Sequence, residues 1–326
     1  VETSAVWGTG KGFVVDLLFT KLVFTLRLES ESGDPYALFS LKSCFREAFR
    51  ETVCRSHGEC SCCSEQRGCP FQAVFGQDLS ADPDALKRHQ KPPLPFLFHI
   101  PLLPGTGSAE RDLELGMVII GTAMSYLPVF YSTMMRLFSG DARIEFPSAE
   151  IVRVESEGCS GFRSLLVLER GSASTDGLST ISADDLIALN TLPSDQLGLR
   201  VLTPLRVQQE GHFLRSFSFS PFVRTLLRRV SSLAYYYYGS ALEMDFSRLA
   251  RISETISVLG SNMQWVTWKK GPLEGVVGSG ILCGDLTDFH PALLLGEYLS
   301  CGKGAAYGLG RYELFRCPEE ERGTEC

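Results

Sequence analysis

Between Phe13 and Leu28 the chain reads FVVDLLFTKLVFTLRL, β-branched and aromatic residues with single polar insertions, and this pattern predicts a strand. A turn-rich break at Ser30 to Pro35 follows, and from about Leu38 to Val53 the apolar positions return at helical spacing. Asp78 to Pro95 is polar and rich in proline. Phe96 to Ile100 and Glu114 to Thr122 read as strands, Pro128 to Phe138 as a second helix, and Ala142 to Val154 supplies the strand that completes the unit. Beyond residue 196 the order repeats. Leu199 to Gln208 reads as a strand, and Pro221 behind Ser220 opens a helix to about Tyr238. Gln264 to Lys269 and Val277 to Leu286 read as strands, Asp288 to Leu299 as a helix with Pro291 in its first turn, and Ala306 to Phe315 as the last strand.

The expected class is therefore α+β: two tandem βαββαβ units, ferredoxin-like and RRM-like, over residues 11–170 and 197–317. Gly171 to Gln196 is rich in Ser, Thr, Asp and Gly and reads as the linker between them. The uncharged run Met117 to Met135 is long enough to raise a membrane span. It contains Gly121, Tyr126, Pro128 and several hydroxyl residues, with no Lys/Arg cluster beside it, so a buried strand followed by a helix is expected and no membrane partner. Val1 to Leu28 shows no basic segment followed by a long apolar block and a small-residue cleavage site, which argues against secretion and for the cytoplasm.

Charge complicates the choice of partner. The 326 residues, 44% of them hydrophobic, are enough for a sizeable core, yet their net charge is −7 and argues against a polyanionic ligand. The distribution changes that picture. Residues 1–196 hold 17 Lys and Arg against 25 Asp and Glu, residues 197–317 hold 13 against 9, and the acidic tail 318–326 holds 1 against 4. A nucleic acid would thus track across the second half, with salt-sensitive affinity.

Five of the 11 cysteines crowd into Cys54, Cys60, Cys62, Cys63 and Cys69. Cys60 and Cys63 have the spacing by which a tight turn presents two thiolates to one ion, and Cys54 and Cys69 lie symmetrically outside them. A structural zinc on Cys54, Cys60, Cys63 and Cys69 is the expected ligand; an iron–sulfur cluster, an unliganded reduced loop and the use of Cys62 in place of a neighbour stay open. Four sulfur ligands leave no open position, so such an ion folds a loop and performs no catalysis.

Cys301 to Glu313 reads CGKGAAYGLGRYE between a helix and a strand. Glycines admit positive φ and let backbone N–H groups approach an anion, and Lys303 and Arg311 add charge at the two ends. A phosphate-binding nucleotide fingerprint would open a helix, and here a strand follows.

With VGSGILCGDL (Val277 to Leu286), LTPLRV (Leu202 to Val207), FVRTLLRRVSSL (Phe222 to Leu233) and CPFQAVF (Cys69 to Phe75), this loop resembles the CRISPR-associated RAMP endoribonucleases that process precursor CRISPR RNA, the Cas-six family, and its subgroup with a four-cysteine insertion. The resemblance implies two ferredoxin-like domains, RNA contacts at Gly302, Lys303, Gly304, Gly308, Gly310 and Arg311, and metal-independent cleavage of repeat RNA that leaves a 2′,3′-cyclic phosphate. It also implies repeat RNA, crRNA and other Cas effector subunits as partners. A catalytically silent RAMP subunit that only binds guide RNA is the alternative, favoured by SGDAR (Ser139 to Arg143) standing where the family often has a second glycine-rich turn.

The implied chemistry needs a base, an acid and cations for the phosphorane, usually on or just after the first helix. That region offers Tyr36, Lys42 and His57 as catalytic candidates. Lys42, Arg46 and Arg50 recur at i, i+4 and i+8 and share one helix face, with a solvated surface as the bland account. His57 titrates near neutrality but lies inside the cysteine loop, where it is equally a metal ligand or a plain loop residue. Arg224 and Arg228 share a face of the helix in the second half, with Arg229 adjacent, and Tyr235 to Tyr238 offer rings for stacking bases or for the core. Lys269 ends a strand that borders the glycine-rich loop or begins a turn.

Overall fold

The computed structural model describes residues 16–29, 34–54, 60, 63, 68–83, 85, 91–104, 112–139, 149–166, 177–242, 244–269 and 273–317. In the first half, strand β1 (Leu18–Leu28) leads through a 3-10 turn (Ala37–Ser40) into helix α1 (Leu41–Val53), followed by α2 (Pro70–Phe75). Strands β2 (Phe96–His99) and β3 (Asp112–Ile120), a 3-10 turn (Gly121–Tyr126), helix α3 (Leu127–Leu137), and strands β4 (Ala149–Glu157) and β5 (Arg163–Leu165) complete it. The sheet runs β2-β3-β1-β4-β5, with antiparallel pairs throughout. That is the ferredoxin-like arrangement, with the first strand inside.

β1 alternates as a half-covered strand should: Leu22, Phe24, Leu26 and Leu28 join the core under α1 and α3, and Lys21, Thr25 and Arg27 take the opposite face. Leu41, Phe45, Ala48 and Phe49 are the stripe α1 buries onto that core. Phe45 sits at its centre, 5.1 Å from the ring of Phe96, 5.0 Å from Phe98 and 6.2 Å from Phe130. The run Met117 to Met135 is a buried strand, a turn and a helix, as its prolines and hydroxyls suggested, and no helix among the described residues is long and apolar enough to cross a membrane.

The second half repeats the plan. Strand β7 (Gln196–Leu205) is followed by a small hairpin of β8 (Gln208–Gln209) and β9 (His212–Phe213), then by helices α5 (Phe219–Tyr238) and α6 (Phe246–Ser253). Strands β10 (Ser257–Leu259), β11 (Gln264–Lys269) and β12 (Leu273–Cys283), helix α7 (His290–Leu299) and strand β13 (Tyr312–Phe315) close the chain. Its sheet runs β10-β12-β7-β13, with β11 paired to the other part of β12.

Two expectations change. The segment read as a linker is folded from residue 177: β6 (Ile181–Ser182) pairs with β1, and α4 (Ala183–Leu189) buries Ala183 and Leu186 in the second core. Three apolar side chains among serines and aspartates are enough, because both sheets lend them surface. The last strand starts at Tyr312 rather than Ala306, because Gly308 and Gly310 hold φ of +84 and +65 and cannot continue an extended ladder. The tail 318–326 lies outside the described residues.

The halves share their cores. Leu17, Phe19, Leu97, Val118 and Ile120 of the first sheet pack with Phe222, Leu226, Val230 and Leu233 of α5. In return Leu309 is buried in the first core, with Trp268, Leu273 and Tyr307 packed against it. Removing a fully buried aromatic strips dispersion contacts and leaves a cavity, so Phe45→Ala is expected to cost roughly 3–5 kcal/mol, read as a lower urea midpoint at unchanged m-value.

Candidate nucleic-acid interface

The loop from Cys301 to Arg311 is a backbone clasp. Cys301 N–H donates to Gly310 O (3.0 Å), Gly310 N–H to Pro204 O (3.1 Å) and Lys303 N–H to Arg206 O (2.9 Å), tying the loop to the end of β7. A Cβ at Gly310 would lie 1.8 Å from Cys301 O, so no other residue fits there. Gly308 presses on Ile100 of the first half, where a Cβ would come within 2.7 Å of that side chain.

The clasp consumes most of the loop's donors. Tyr307, Gly308 and Leu309 donate back to Gly304 and Ala305, which leaves the N–H groups of Gly304, Ala305 and Ala306 at the head of a 3-10 turn (Ala305–Tyr307) without a protein acceptor among the described residues. Lys303 beside them is exposed, its Nζ 5.4 Å from the ring centroid of Phe213 on the β8–β9 hairpin, and the Arg206 guanidinium lies 4.3 Å from the same ring. Gly302, Lys303 and Gly304 therefore lie on the accessible side of the loop. Gly308 and Gly310 support it from behind. Arg311 departs from expectation: it is mostly buried, in the field of Glu313, Glu157 and Glu114, and burial lowers its pKa.

On the first half, Tyr36 is held by its neighbours. Its N–H donates to Asp34 Oδ1 (3.0 Å), its carbonyl accepts from Phe39 N–H (3.0 Å), and its ring stacks on Trp268 of β11 at 4.9 Å and 13°. Lys42 and Arg46 are exposed on α1 as the spacing required, and Arg50 is half-buried one turn on. The Arg46 guanidinium lies 5.6 Å from Phe71 of α2 and 6.0 Å from Phe75, and its charge reaches the Tyr307 hydroxyl, whose pKa burial raises. Tyr307 in turn meets Phe96 at 6.0 Å. The start of α1, the glycine-rich loop and the end of β11 are thereby brought together across the two halves. Lys269 follows Trp268 in the strand, and its side chain lies outside the described residues, as does His57.

The other histidines carry different duties. His99 is buried, Nε2 donates to Tyr298 O (2.9 Å), and burial with the Arg311 and Lys21 charges holds its pKa well below the usual range. His290 donates to Pro193 O (2.9 Å), and His212 is exposed on the hairpin.

Cys54 caps the end of α1 and Cys69 the start of α2, while Cys63 N–H donates to Cys60 O (3.3 Å), the turn expected of that spacing. Among the described residues no three His, Cys, Asp or Glu side chains are gathered to hold a metal ion.

Arg224 and Arg228 are exposed on α5. Arg229, adjacent in sequence, turns inward and donates from Nε to Leu299 O (2.9 Å) at the end of α7; burial brings its pKa down to about 10, so it stays charged at neutral pH. It anchors the helix end from which the glycine-rich loop springs, a role that only the fold reveals. The tyrosines divide too. Tyr235 Oη pairs with Ser80 Oγ (2.9 Å), Tyr237 is buried and donates to Pro93 O, and Tyr238 is 43% exposed.

Beneath the clasp lies a charged junction. Lys21 meets Glu157 at 2.6 Å, and Arg163 bridges Glu157 and Glu114. Glu297 of α7 accepts from Leu314 N–H (2.7 Å), and burial, with Glu313 nearby, pushes its pKa to about 7 despite that bond and Lys21.

Two tandem ferredoxin-like units with a glycine-rich loop between the last helix and strand have counterparts among known proteins. Residues 199–312 match the family model described as CRISPR-associated endoribonuclease Cas6, and residues 17–175 match the N-terminal domain model AF_1859_N. The fold is similar to that of Thermus thermophilus Cas6 (TM-score 0.51, 15% identity, 92% of this chain and 99% of that one) and to a Cas6 product complex (0.53, 14%, 92% and 100%). A partial Cas6-RT-Cas1–Cas2 complex matches 94% of this chain at TM-score 0.55 and 11% identity, and the chain spans 47% of that relative. No curated protein sequence matches. Over residues 199–312 the chain is similar to the Cas6 family model, and its fold as a whole is that of Cas6 structures.

Glu297 generates a pH prediction. Its folded pKa is raised from 4.5 to about 7, so its contribution to stability is full below about 4.5 and is lost as pH rises through 7. Urea midpoints of the wild type are expected to fall across that window relative to Glu297→Gln, which keeps the acceptor for Leu314; parallel curves would refute the assignment.

Proposed function

We propose that the chain cleaves CRISPR repeat RNA at the junction where the charge of Arg46 reaches Tyr307 of the glycine-rich loop, with Lys42 one turn earlier on α1 and Tyr36 stacked on Trp268. The observation that carries this reading is the convergence: candidate base and cations from the first half, the N–H groups of Gly304 to Ala306 and Lys303 from the second, within the Cas6 family fold. The ribose 2′-hydroxyl attacks the adjacent phosphorus, its proton passing to one of His57 and Tyr36 as base, and the P–O5′ bond breaks as the other of the two, protonated, gives its proton to the 5′-oxygen. Lys42 and Arg46 offset the charge that builds on the phosphorane. The residues supply each proton and charge themselves, so the step requires no metal. The products are a 2′,3′-cyclic phosphate and a 5′-hydroxyl.

Repeat RNA should be cut equally well in EDTA, with the cyclic end detected by mass spectrometry. His57→Ala is expected to slow cleavage about 10²-fold; a fall below about threefold passes the role to Tyr36, whose Tyr36→Phe variant then carries the loss. A silent RNA-binding subunit is the second reading, favoured because no described histidine interacts with Tyr36 or Lys42. Tight binding without cutting would establish it. In either case Lys303→Ala should reduce the slope of log affinity against log salt by about 1.

Partners in this reading are repeat RNA, crRNA and other Cas subunits, by analogy with the Cas6-RT-Cas1–Cas2 assembly, and the compartment is the cytoplasm. Zinc on Cys54, Cys60, Cys63 and Cys69 rests on donor chemistry alone. Metal analysis is expected to give about one zinc per chain, lost in Cys60→Ser with Cys63→Ser; metal-free wild type would dismiss it.

A further inference from the structure

Behind α2, away from the clasp, a cleft of about 290 Å³ opens between the two halves. Tyr126, Tyr236 and Tyr237 are among the residues that line it, the first from the turn before α3 and the others from the end of α5. Its polar side is Gln72, Gln77 and Asp78. Orientation of these groups follows from their partners. Gln77 Nε2 donates to Pro92 O, and Gln72 Nε2 lies 3.4–3.5 Å from the Asp78 carboxylate oxygens, so each amide nitrogen has at least one of its two N–H groups engaged. The Asp78 carboxylate only accepts, and the two amide oxygens add acceptors beside it, which makes this side of the cleft rich in acceptors. Gln77 has φ +52, a left-handed conformation unusual for a side chain of its kind, and this bends the chain so that Gln72, Gln77 and Asp78 share one wall.

Aromatic residues beside an acceptor-rich edge with a carboxylate select a flat ligand that presents adjacent N–H donors. We propose that this cleft is a second RNA site, which takes one unpaired guanine: its ring against the tyrosines, its N1–H and N2–H₂ donated to Asp78 and the neighbouring amide oxygens. Uracil offers one such donor between two carbonyls, and adenine an acceptor beside its amino group, so neither satisfies the edge. Backbone charge is met on both sides. Lys91 is exposed immediately before Pro92, and Arg46 covers Phe71 and Phe75 of α2, linking the cleft to the α1 stripe. The site deepens the RNA reading above and rests on it: it gives the protein a base preference away from the scissile phosphate.

The test uses full-length protein and fluorescence anisotropy at one salt concentration, with uridine octamers that carry a single central guanine, inosine or adenine. Wild type is expected to bind the guanine octamer about tenfold tighter than the adenine one, with inosine, which lacks the N2 amine, between them. Asp78→Asn, a surface change, should erase the preference while leaving the affinity of the adenine octamer unchanged, and Tyr236→Ala should weaken the guanine octamer without altering the salt slope. Equal wild-type affinity for the three octamers, or a preference that survives Asp78→Asn, overturns the site. If wild type binds repeat RNA yet shows no base preference, this proposal alone fails; if it binds neither octamer nor repeat RNA, the RNA reading fails with it.

Discussion

The close approach of backbone to backbone at the glycine-rich loop is the constraint on which the rest of the molecule depends. Gly310 lies against Cys301 O and Pro204 O, and Gly302 against Arg206 O, with no room for a Cβ at either place. Because the loop is cinched to β7 this tightly, Tyr307 and Leu309 project into the first half and dock on Phe96, Phe98 and Ile100. The clasp thus joins two otherwise repeated units, and it brings the Tyr307 hydroxyl within reach of the Arg46 charge on α1. A loop that only turned the chain would not need to bury its own side chains in the other unit.

Charge is organised around that junction by burial. Arg229 and Arg311 are both turned inward, one holding the last carbonyl of α7 and the other facing Glu157 and Glu114, and burial lowers the pKa of each. Lys42, Arg46, Arg224, Arg228 and Lys303 stay exposed. The net charge of −7 does not say where the cations lie: some, such as Lys21 with Glu157 and Arg163 with Glu114, are held in ion pairs. The cations left in water are those that a phosphate backbone meets.

How far the sequence could be read follows from the range of each interaction. β1 and α1 were legible because their periods of 2 and 3.6 come from residues a few positions apart. α4 was not, because Ala183 and Leu186 are buried by β1 and α7 rather than by anything in their own polar stretch. Arg224, Arg228 and Arg229 look alike in sequence; one residue's rotation about the helix and the packed end of α7 separate two surface cations from an inward anchor. The stack of Trp268 on Tyr36 joins residues more than two hundred positions apart, and no local pattern announces it.

By itself, then, the sequence determined the element order, the two ferredoxin-like units and the glycine-rich motif that marks the family, since each is written in spacing and in residue type along the chain. Only the tertiary structure decided which side chains share a site. It turned Arg311 inward, set Tyr36 against Trp268, split the tyrosine row between core and surface, and opened the cleft lined by Asp78. The physical reason is that exposure and charge environment are summed over neighbours from distant parts of the chain, and those neighbours exist only once both cores have formed.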